Sequence, residues 1–301
     1  MTESITLSEA FLEDLKGVCP GGAPPRLSNC FVSDLRRVAA MTDLMPQRKL
    51  TAESLDLNSL GQSLDAWRLR TRIRLKPLLD DVLAEDPLKC PISLFGTMDE
   101  GCLERAHTKT LAWLLNPKQE HGFGAGLIDA LLRSLGNYAG ELSVVSVDSE
   151  YPVPGRHHTG TGRLDLLATG HSADGGKWVL VIEAKIGAGE GENQLSDYDE
   201  WIDAAFPDCN RLRVFLTPDG RRPETARGEW VALSFAILVG IFRTALPGLR
   251  EAPGYHFLRY YLSGVLRDIC RWELPVDESC RDPYRVLEYL MAHRAHNDEG
   301  H

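Results

Sequence analysis

One apolar stretch near the middle of the chain, residues 178–185 with the sequence WVLVIEAK, most constrains the fold. It is short, rich in β-branched residues and apolar at successive positions, a pattern typical of a strand covered on both faces. Strands of this kind lie in the centre of sheets that helices cover on both sides. Other strand patterns lie at residues 142–147 with an extension at 150–153, at 164–169, at 212–217 and at 230–235. The sequence therefore predicts an α/β fold with a mixed sheet of four to five strands flanked by helices.

Helical patterns surround the predicted strands. Apolar residues recur there at steps of three and four residues, which is the period of a helix with one buried face. The patterns predict helices over residues 64–85, 97–116, 127–135 and 195–205, followed by three more from residue 236 onward. The second of these starts with the T-x-x-E form of a capping box and ends before a proline. We therefore expect a mostly helical N-terminal extension over residues 1–92, a core over 93–250 and a C-terminal helical extension over 251–301.

Two acidic residues, Asp165 and Glu183, interrupt strands that are otherwise apolar. A buried carboxylate is costly unless it is paired or bound to a cation. Lys185 follows Glu183 by two residues, so both side chains project from the same face of the strand. If the two strands form a hairpin in which Thr169 pairs with Val179, Asp165 lies opposite Glu183. Two opposed carboxylates with one lysine leave a negative pocket, which predicts a divalent metal ion between them.

Hard oxygen ligands of this kind favour Mg²⁺ or Mn²⁺ over Zn²⁺. Glu104, on the predicted helix 97–116, is placed to supply a further ligand if that helix packs beside the strands. Gln194, at the start of the next helix, could hydrogen-bond a phosphate or an attacking water. Lys185 could orient a water or stabilise the charge that develops on a phosphate. The combination is typical of phosphodiester hydrolysis, and a structural ion pair between the acids and Lys185 is the alternative.

These residues and their surroundings resemble the PD-(D/E)xK nuclease superfamily over about residues 93–245. The matching segments are LERAHTKTLAWLLNPKQEHGFG, GRLDLL, VLVIEAKIGAGEGENQLSDYDEW and VFLTPDGRRP. Two positions depart from the common pattern, since Leu164 stands where many members have Pro and Ala184 where many have Asn. The resemblance implies a restriction-endonuclease-like core and a metal-dependent nuclease.

The resemblance also implies roles for individual residues. It identifies Asp165 and Glu183 as metal ligands and Lys185 as catalytic, and it aligns Glu104 with the superfamily's helical Glu and further ligand. It aligns Gln194 with the catalytic Gln that follows the strand, and Tyr198 completes the Q-x-x-x-Y pattern.

Basic residues concentrate in particular stretches, although the formal net charge of the chain is −10. That charge disfavours a generic basic nucleic-acid-binding protein. Residues 67–76 nevertheless carry five basic residues and no acid, whereas residues 183–203 are strongly acidic, so nucleic-acid binding is expected to depend on the divalent ion. We expect nucleic-acid contacts from Arg68, Arg70, Arg72, Arg74, Arg221, Arg222, His107 and Tyr198. The alternatives are solvated helix and loop surfaces for the arginines and core packing for the last two.

Other kinds of site receive little support. The seven cysteines are scattered without a C-x-x-C pair, which disfavours a zinc ribbon and predicts reduced thiols in a cytoplasmic protein. The run Gly187-x-Gly189-x-Gly191 lacks the G-x-G-x-x-G spacing of a dinucleotide loop, and its acids would repel a pyrophosphate. The His157–His158 pair is expected to be exposed to solvent. Neither a secretory signal nor a membrane span is predicted.

The sequence therefore supports a Mg²⁺- or Mn²⁺-dependent nuclease acting on nucleic acid, with DNA the expected substrate. The resemblance implies a bacterial protein of defence or mobile-element biology. One alternative is an inactive nuclease fold that serves as a nucleic-acid or protein interaction module. Another is hydrolysis of a nucleotide or a different phosphodiester. A homodimer is a further expectation, because cutting both strands of a duplex often requires two sites.

Overall fold

The computed structural model describes residues 57–96, 103–136, 142–154, 161–173, 175–277, 280, 283–287 and 289–290. The chain divides into two compact units, Met1–Leu60 and Gly61–His301. The second unit contains the sheet and the helices that cover it. The His157–His158 pair and the predicted capping box at residues 97–100 lie outside the described residues.

Along the described part of the chain, three helices come first, followed by three strands, one helix, two strands and two further helices. The helices are α1 (Leu57–Asp80), α2 (Glu104–Leu115), α3 (Gly126–Ser134), α4 (Gln194–Ala205), α5 (Phe235–Ala245) and α6 (Tyr255–Gly264). The strands are β1 (Leu142–Pro154), β2 (Thr161–Ser172), β3 (Lys177–Ala184), β4 (Asn210–Thr217) and β5 (Val231–Ser234). Short turns of 3₁₀ helix at Pro87–Lys89 and Leu246–Leu249 and a π-helical segment at Val265–Ile269 connect or extend them.

The five strands form one mixed sheet in the order β1-β2-β3-β4-β5. Strand β2 is antiparallel to both of its neighbours, β1 and β3, whereas β3, β4 and β5 run parallel to one another. The central strand β3 is buried at every position after Lys177, as its apolar sequence predicts. The predicted α/β fold, with a mixed sheet flanked by helices, is therefore confirmed.

Two hydrophobic clusters cover the two faces of the sheet. The larger one joins β3 residues such as Leu180 to Leu111 of α2, Phe242 of α5 and Tyr261 of α6. The smaller one packs α4 onto the other face. Fully burying one leucine or phenylalanine side chain contributes about 1.5–3 kcal/mol. The helices after residue 250 thus share a core with the sheet.

A tight turn closes the β2–β3 hairpin. The backbone N–H of Ser172 donates to the carbonyl of Gly176 at 2.8 Å, and that of Gly175 donates to Ser172 at 2.9 Å. Gly175 has φ +85°, a left-handed conformation that glycine adopts without steric cost. The turn brings Thr169 opposite Val179, which is the register predicted from the sequence.

Two element boundaries differ from the sequence prediction. Helix α2 begins at Glu104 rather than near residue 97, and its N-cap Leu103 makes no side-chain capping bond. A carboxylate in the first helical turn is stabilised by the helix dipole, which favours a start at Glu104. The predicted strand 142–147 and its predicted extension 150–153 lie in one strand, β1, which also includes residues 148–149 and Pro154 and continues through Glu150 at φ +53°.

No helix in the described part of the chain combines the length and apolar character needed to cross a membrane. Four cysteines within it, Cys90, Cys209, Cys270 and Cys280, are free thiols.

Candidate active site

Glu183 lies at the centre of a buried polar group near the end of β3. Its side chain is 1% exposed, and its Oε1 accepts hydrogen bonds from Lys185 Nζ and from Gln194 Nε2, both at 2.7 Å. Its Oε2 is buried and has no hydrogen-bond donor among the described residues. The backbone N–H of Lys185 donates to the carbonyl of Leu216 on β4 at 2.9 Å, which fixes the lysine beyond the end of the strand. One carboxylate oxygen is therefore held, and the other is left for a ligand.

Asp165 on β2 lies opposite Glu183 on β3. The pairing of β2 with β3 runs as far as Leu166 and Ile182, so the following pair of positions is Asp165 and Glu183. There the ladder ends, and Asp165 Oδ2 instead accepts a hydrogen bond from the backbone N–H of Ala184 at 2.8 Å. The two acids thus come from adjacent strands, as the predicted hairpin requires.

Glu104 reaches this group from the N-terminus of α2. Its Oε2 accepts a hydrogen bond from the backbone N–H of Ile186 at 3.0 Å, and its Oε1 lies 3.4 Å from Lys185 Nζ. The helix packs on β1 and β2, which explains why a residue so distant in sequence meets the end of β3. Glu104 therefore anchors the lysine and the chain that follows it.

Gln194 and Tyr198 complete the group from α4, one helical turn apart. Gln194 Oε1 accepts from the backbone N–H of Gly191 at 3.1 Å, and its Nε2 also lies 3.3 Å from the Tyr198 hydroxyl. The Tyr198 hydroxyl donates to the backbone carbonyl of Arg163 at 2.6 Å. Tyr198 is 4% exposed, so it positions its neighbours from within the core.

The arrangement matches a known family. A family model described as the PD-(D/E)XK nuclease superfamily matches residues 94–273, more than half of the chain. The chain belongs to the PD-(D/E)XK nuclease superfamily. Membership confirms the resemblance drawn from the motifs, and it implies a hydrolase of phosphodiester bonds in nucleic acid. Comparison with curated proteins gave no match, and comparison with solved structures gave none either.

Burial and like charges perturb the titratable groups of this PD-(D/E)XK site. Burial, and after it the charge of Asp165, raises the pKa of Glu183 to about 8. Burial raises the pKa of Asp165 to about 6, although the N–H of Ala184 and the charge of Lys185 oppose it. Burial alone would lower the pKa of Lys185, but the charge and hydrogen bond of Glu183 hold it above its usual range. A cation placed at the carboxylates would favour their ionised forms.

The residues of the site fit a small divalent ion, as PD-(D/E)XK nucleases generally use. Among the described residues, no three His, Cys, Asp or Glu side chains lie close enough together to hold a metal. Mg²⁺, however, usually takes only one or two carboxylates and completes its shell with water and phosphate oxygens. Asp165 and the partnerless oxygen of Glu183 supply that donor set. Glu104, predicted as a further ligand, is already bonded to Lys185 and Ile186.

The predicted nucleic-acid contacts lie in different places. Arg68, Arg70 and Arg74 of α1 and Arg222 of the loop after β4 are exposed, and Arg72 is half-buried. None of these five belongs to the bonded group around Glu183. His107 is 1% exposed and packs among Phe95, Phe235 and Tyr261, so the structure places it in the core rather than on a nucleic-acid surface.

Arg221 has a structural partner that the sequence analysis missed. Its Nη1 lies 2.8 Å from Glu190 Oε1, and its guanidinium stacks over Phe215 at 5.0 Å. Glu190 also accepts bonds from the backbone N–H groups of Glu224 and Thr225 and from the Thr225 hydroxyl. Burial alone would raise the pKa of Glu190, but these donors hold it below its usual range. The contact ties the glycine-rich loop before α4 to the loop after β4.

Glu190→Gln is expected to lower the free energy of unfolding by about 1–3 kcal/mol, because it removes a charge that several donors share. Urea unfolding near neutral pH measures the change. Glu224→Gln is the matched control, since the Glu224 side chain is 82% exposed and should change stability by less than about 0.5 kcal/mol. Equal effects of the two substitutions would contradict the structural role of Glu190.

Proposed function

We propose that this protein is a divalent-metal-dependent nuclease that hydrolyses phosphodiester bonds, with DNA as its first expected substrate. The observation that carries the proposal is the buried Oε2 of Glu183, a residue 1% exposed, which receives no hydrogen bond from the part of the chain that the structure describes. A buried, partnerless carboxylate oxygen costs free energy unless a ligand binds it. Asp165 on the adjacent strand and Lys185, directly after the end of β3, supply the other groups that metal-assisted hydrolysis needs.

Asp165 and Glu183 are proposed to hold the ion. Gln194 and Lys185 both bond to Oε1 of Glu183, so they fix the carboxylate with Oε2 left available. A divalent ion bound there supplies Lewis acidity that polarises a phosphoryl group and neutralises its developing charge.

Lys185 is proposed to act on the reacting phosphate or on the attacking water. Its Nζ keeps its proton in this environment, so it donates hydrogen bonds and does not accept a proton. Glu104, 3.4 Å from Nζ, is a positioning residue for the lysine. A positively charged hydrogen-bond donor in a water-poor site stabilises the negative charge of the transition state more than it does in solution.

Purified protein is expected to cut DNA with Mg²⁺ or Mn²⁺ and to lose that activity in EDTA. Plasmid, linear duplex, single-stranded DNA, RNA and free nucleotides are incubated with each metal, and products are resolved on gels or by chromatography. Asp165→Asn should abolish cutting, whereas Asp148→Asn, an exposed acid on β1, should retain it.

Each outcome of this panel has a definite meaning. Cutting that persists in EDTA, or in Asp165→Asn, would overturn the metal site. Hydrolysis of nucleotides without cutting of polymers would favour the alternative phosphodiesterase. Binding of nucleic acid without hydrolysis of any substrate would favour an inactive interaction module.

A further inference from the structure

Two arginines converge on one acid beside the proposed metal site. Arg105 Nη2 lies 3.0 Å from Glu150 Oε2, and Arg163 Nη1 lies 3.7 Å from the same oxygen. Their side chains are 63% and 64% exposed, whereas Glu150 is 24% exposed. Exposed ion pairs contribute little to stability. Stability alone is therefore a weak reason for this arrangement.

Glu150 on β1 lies opposite Asp165 on β2. Strand β1 pairs with the edge of β2 that faces away from β3 and Glu183. Ser149 pairs with Leu166 and Tyr151 with Leu164, so the two acids occupy the position between these pairs. Glu150 has φ +53°, a left-handed conformation that is strained for a residue with a Cβ. Its charge also contributes to the raised pKa of Asp165. The strained residue is thus part of the surroundings of the metal site.

Strand β2 also turns at this position. Leu164 packs in the smaller hydrophobic cluster and Leu166 in the larger one, although residues two apart on a regular strand share a face. The change of face on β2 and the left-handed residue of β1 therefore occur at the same register position, where Glu150 meets Arg163 and lies beside Asp165.

The backbones of both arginines are fixed by the active-site residues. The carbonyl of Arg163 accepts the Tyr198 hydroxyl at 2.6 Å. Arg105 directly follows Glu104, whose carboxylate is bonded to the chain after β3. Each guanidinium is therefore an exposed donor group on a fixed backbone, held by Glu150 opposite Asp165.

We propose that Arg105 and Arg163 bind the phosphates that flank the bond to be cut, with Glu150 holding both guanidinium groups in place. A guanidinium has five N–H donors and matches phosphate oxygens in pairs, so a contact to one carboxylate oxygen leaves donors for a phosphate. The acids of the pocket would otherwise repel the backbone of a nucleic acid on either side of the ion. The proposal rests on the proposed nuclease function, since it assigns the substrate contacts of the same site.

Nucleic-acid binding without cleavage tests the proposal. A fluorescein-labelled DNA duplex is titrated with Lys185→Met protein in Mg²⁺, and anisotropy gives Kd at salt concentrations between about 50 and 200 mM. Adding Arg105→Gln or Arg163→Gln should each raise Kd about tenfold and reduce the slope of log Kd against log salt by about 1. Arg133→Gln, an arginine of α3 that is 51% exposed and paired with Asp129, is the control and should leave both unchanged.

Conservative variants and a second readout distinguish the outcomes. Arg105→Lys and Arg163→Lys keep the charge and should keep the salt slope, while the loss of paired donors still raises Kd. Calorimetric titration with Mn²⁺ should give the same metal affinity in the Gln variants and the parent. Unchanged Kd and slope in both Gln variants would overturn the proposal. If the native protein with Lys185 cuts no nucleic acid under any condition, yet these slopes change as expected, the proposed function fails and the phosphate contacts stand.

Discussion

Lys185→Met is expected to lower the rate of DNA cleavage by about 10²–10³-fold, the usual loss when one group that stabilises transition-state charge is removed. Met is an unbranched residue of similar length, so it fills the same space without the ammonium group. In the native structure that group lies 2.7 Å from Glu183 Oε1 and 3.4 Å from Glu104 Oε1. Initial rates on a labelled duplex at saturating Mg²⁺ measure the effect.

The matched control is Lys177→Met. Lys177 begins the same strand and is exposed, so its replacement removes the same charge without touching the site. It should cut at a rate within about twofold of the native protein. Thermal unfolding of both variants separates a loss of chemistry from a loss of fold. A folded Lys185→Met protein that cuts at the native rate would contradict the role assigned to the lysine.

Glu183→Gln is expected to stabilise the metal-free protein and to abolish both its cleavage activity and its stabilisation by Mg²⁺. The native carboxylate is 1% exposed and lies beside Asp165, and one of its oxygens accepts no hydrogen bond from any residue within the described ranges. An amide of the same shape removes the buried charge, which should raise the free energy of unfolding by about 1–2 kcal/mol. That corresponds to an increase in Tm of about 2–8 °C.

The stabilisation should grow with pH. Because the pKa of Glu183 is raised to about 8 in the folded protein from 4.5, the native protein loses stability as pH rises through that interval. Gln does not titrate, so the difference in Tm between variant and native protein should widen from pH 5 to pH 8. Adding Mg²⁺ should stabilise the native protein most at the upper end, because binding requires ionised carboxylates.

Thermal unfolding across this pH range, with EDTA or Mg²⁺, checks both expectations. Glu229→Gln, which replaces an exposed glutamate, is the control and should follow the native protein at every pH. A difference in Tm that shrinks as pH rises would contradict the raised pKa of the buried Glu183 carboxyl. Equal stabilisation of the native and Glu183→Gln proteins by Mg²⁺ would contradict the assignment of Glu183 as a metal ligand.

The parts of the site that follow from strand geometry were predictable from the sequence. The apolar run of β3 identified the central strand, and the two-residue period placed Glu183 and Lys185 on one face. The pairing of Thr169 with Val179 then placed Asp165 in register with Glu183. Each of these inferences depends on local periodicity and one short turn, which the order of residues largely specifies.

The contacts that tertiary packing creates were not predictable. Glu190 and Arg221 are 31 residues apart and meet because two loops at the same edge of the sheet approach each other. The contact between Arg105 and Glu150 requires α2 to lie against β1. The left-handed backbone of Glu150 was not predictable either, because glycine is the residue that usually marks such a position and none stands there. His107 occupies an apolar position of its helix, and only the packing of neighbouring aromatic rings decides that it lies in the core.

The Ser172–Gly176 turn lies at the end of the hairpin opposite the carboxylates, yet it limits how the protein can evolve. Because β3 is buried on both faces, sliding it by one residue would expose few apolar side chains, so hydrophobicity discriminates weakly between registers. The length of the turn instead fixes which register the two strands adopt. Exposed hairpin turns ordinarily tolerate insertions. Here an added residue would move Asp165 out of step with Glu183, so changes in the length of a surface turn are constrained by chemistry at the far end of two strands.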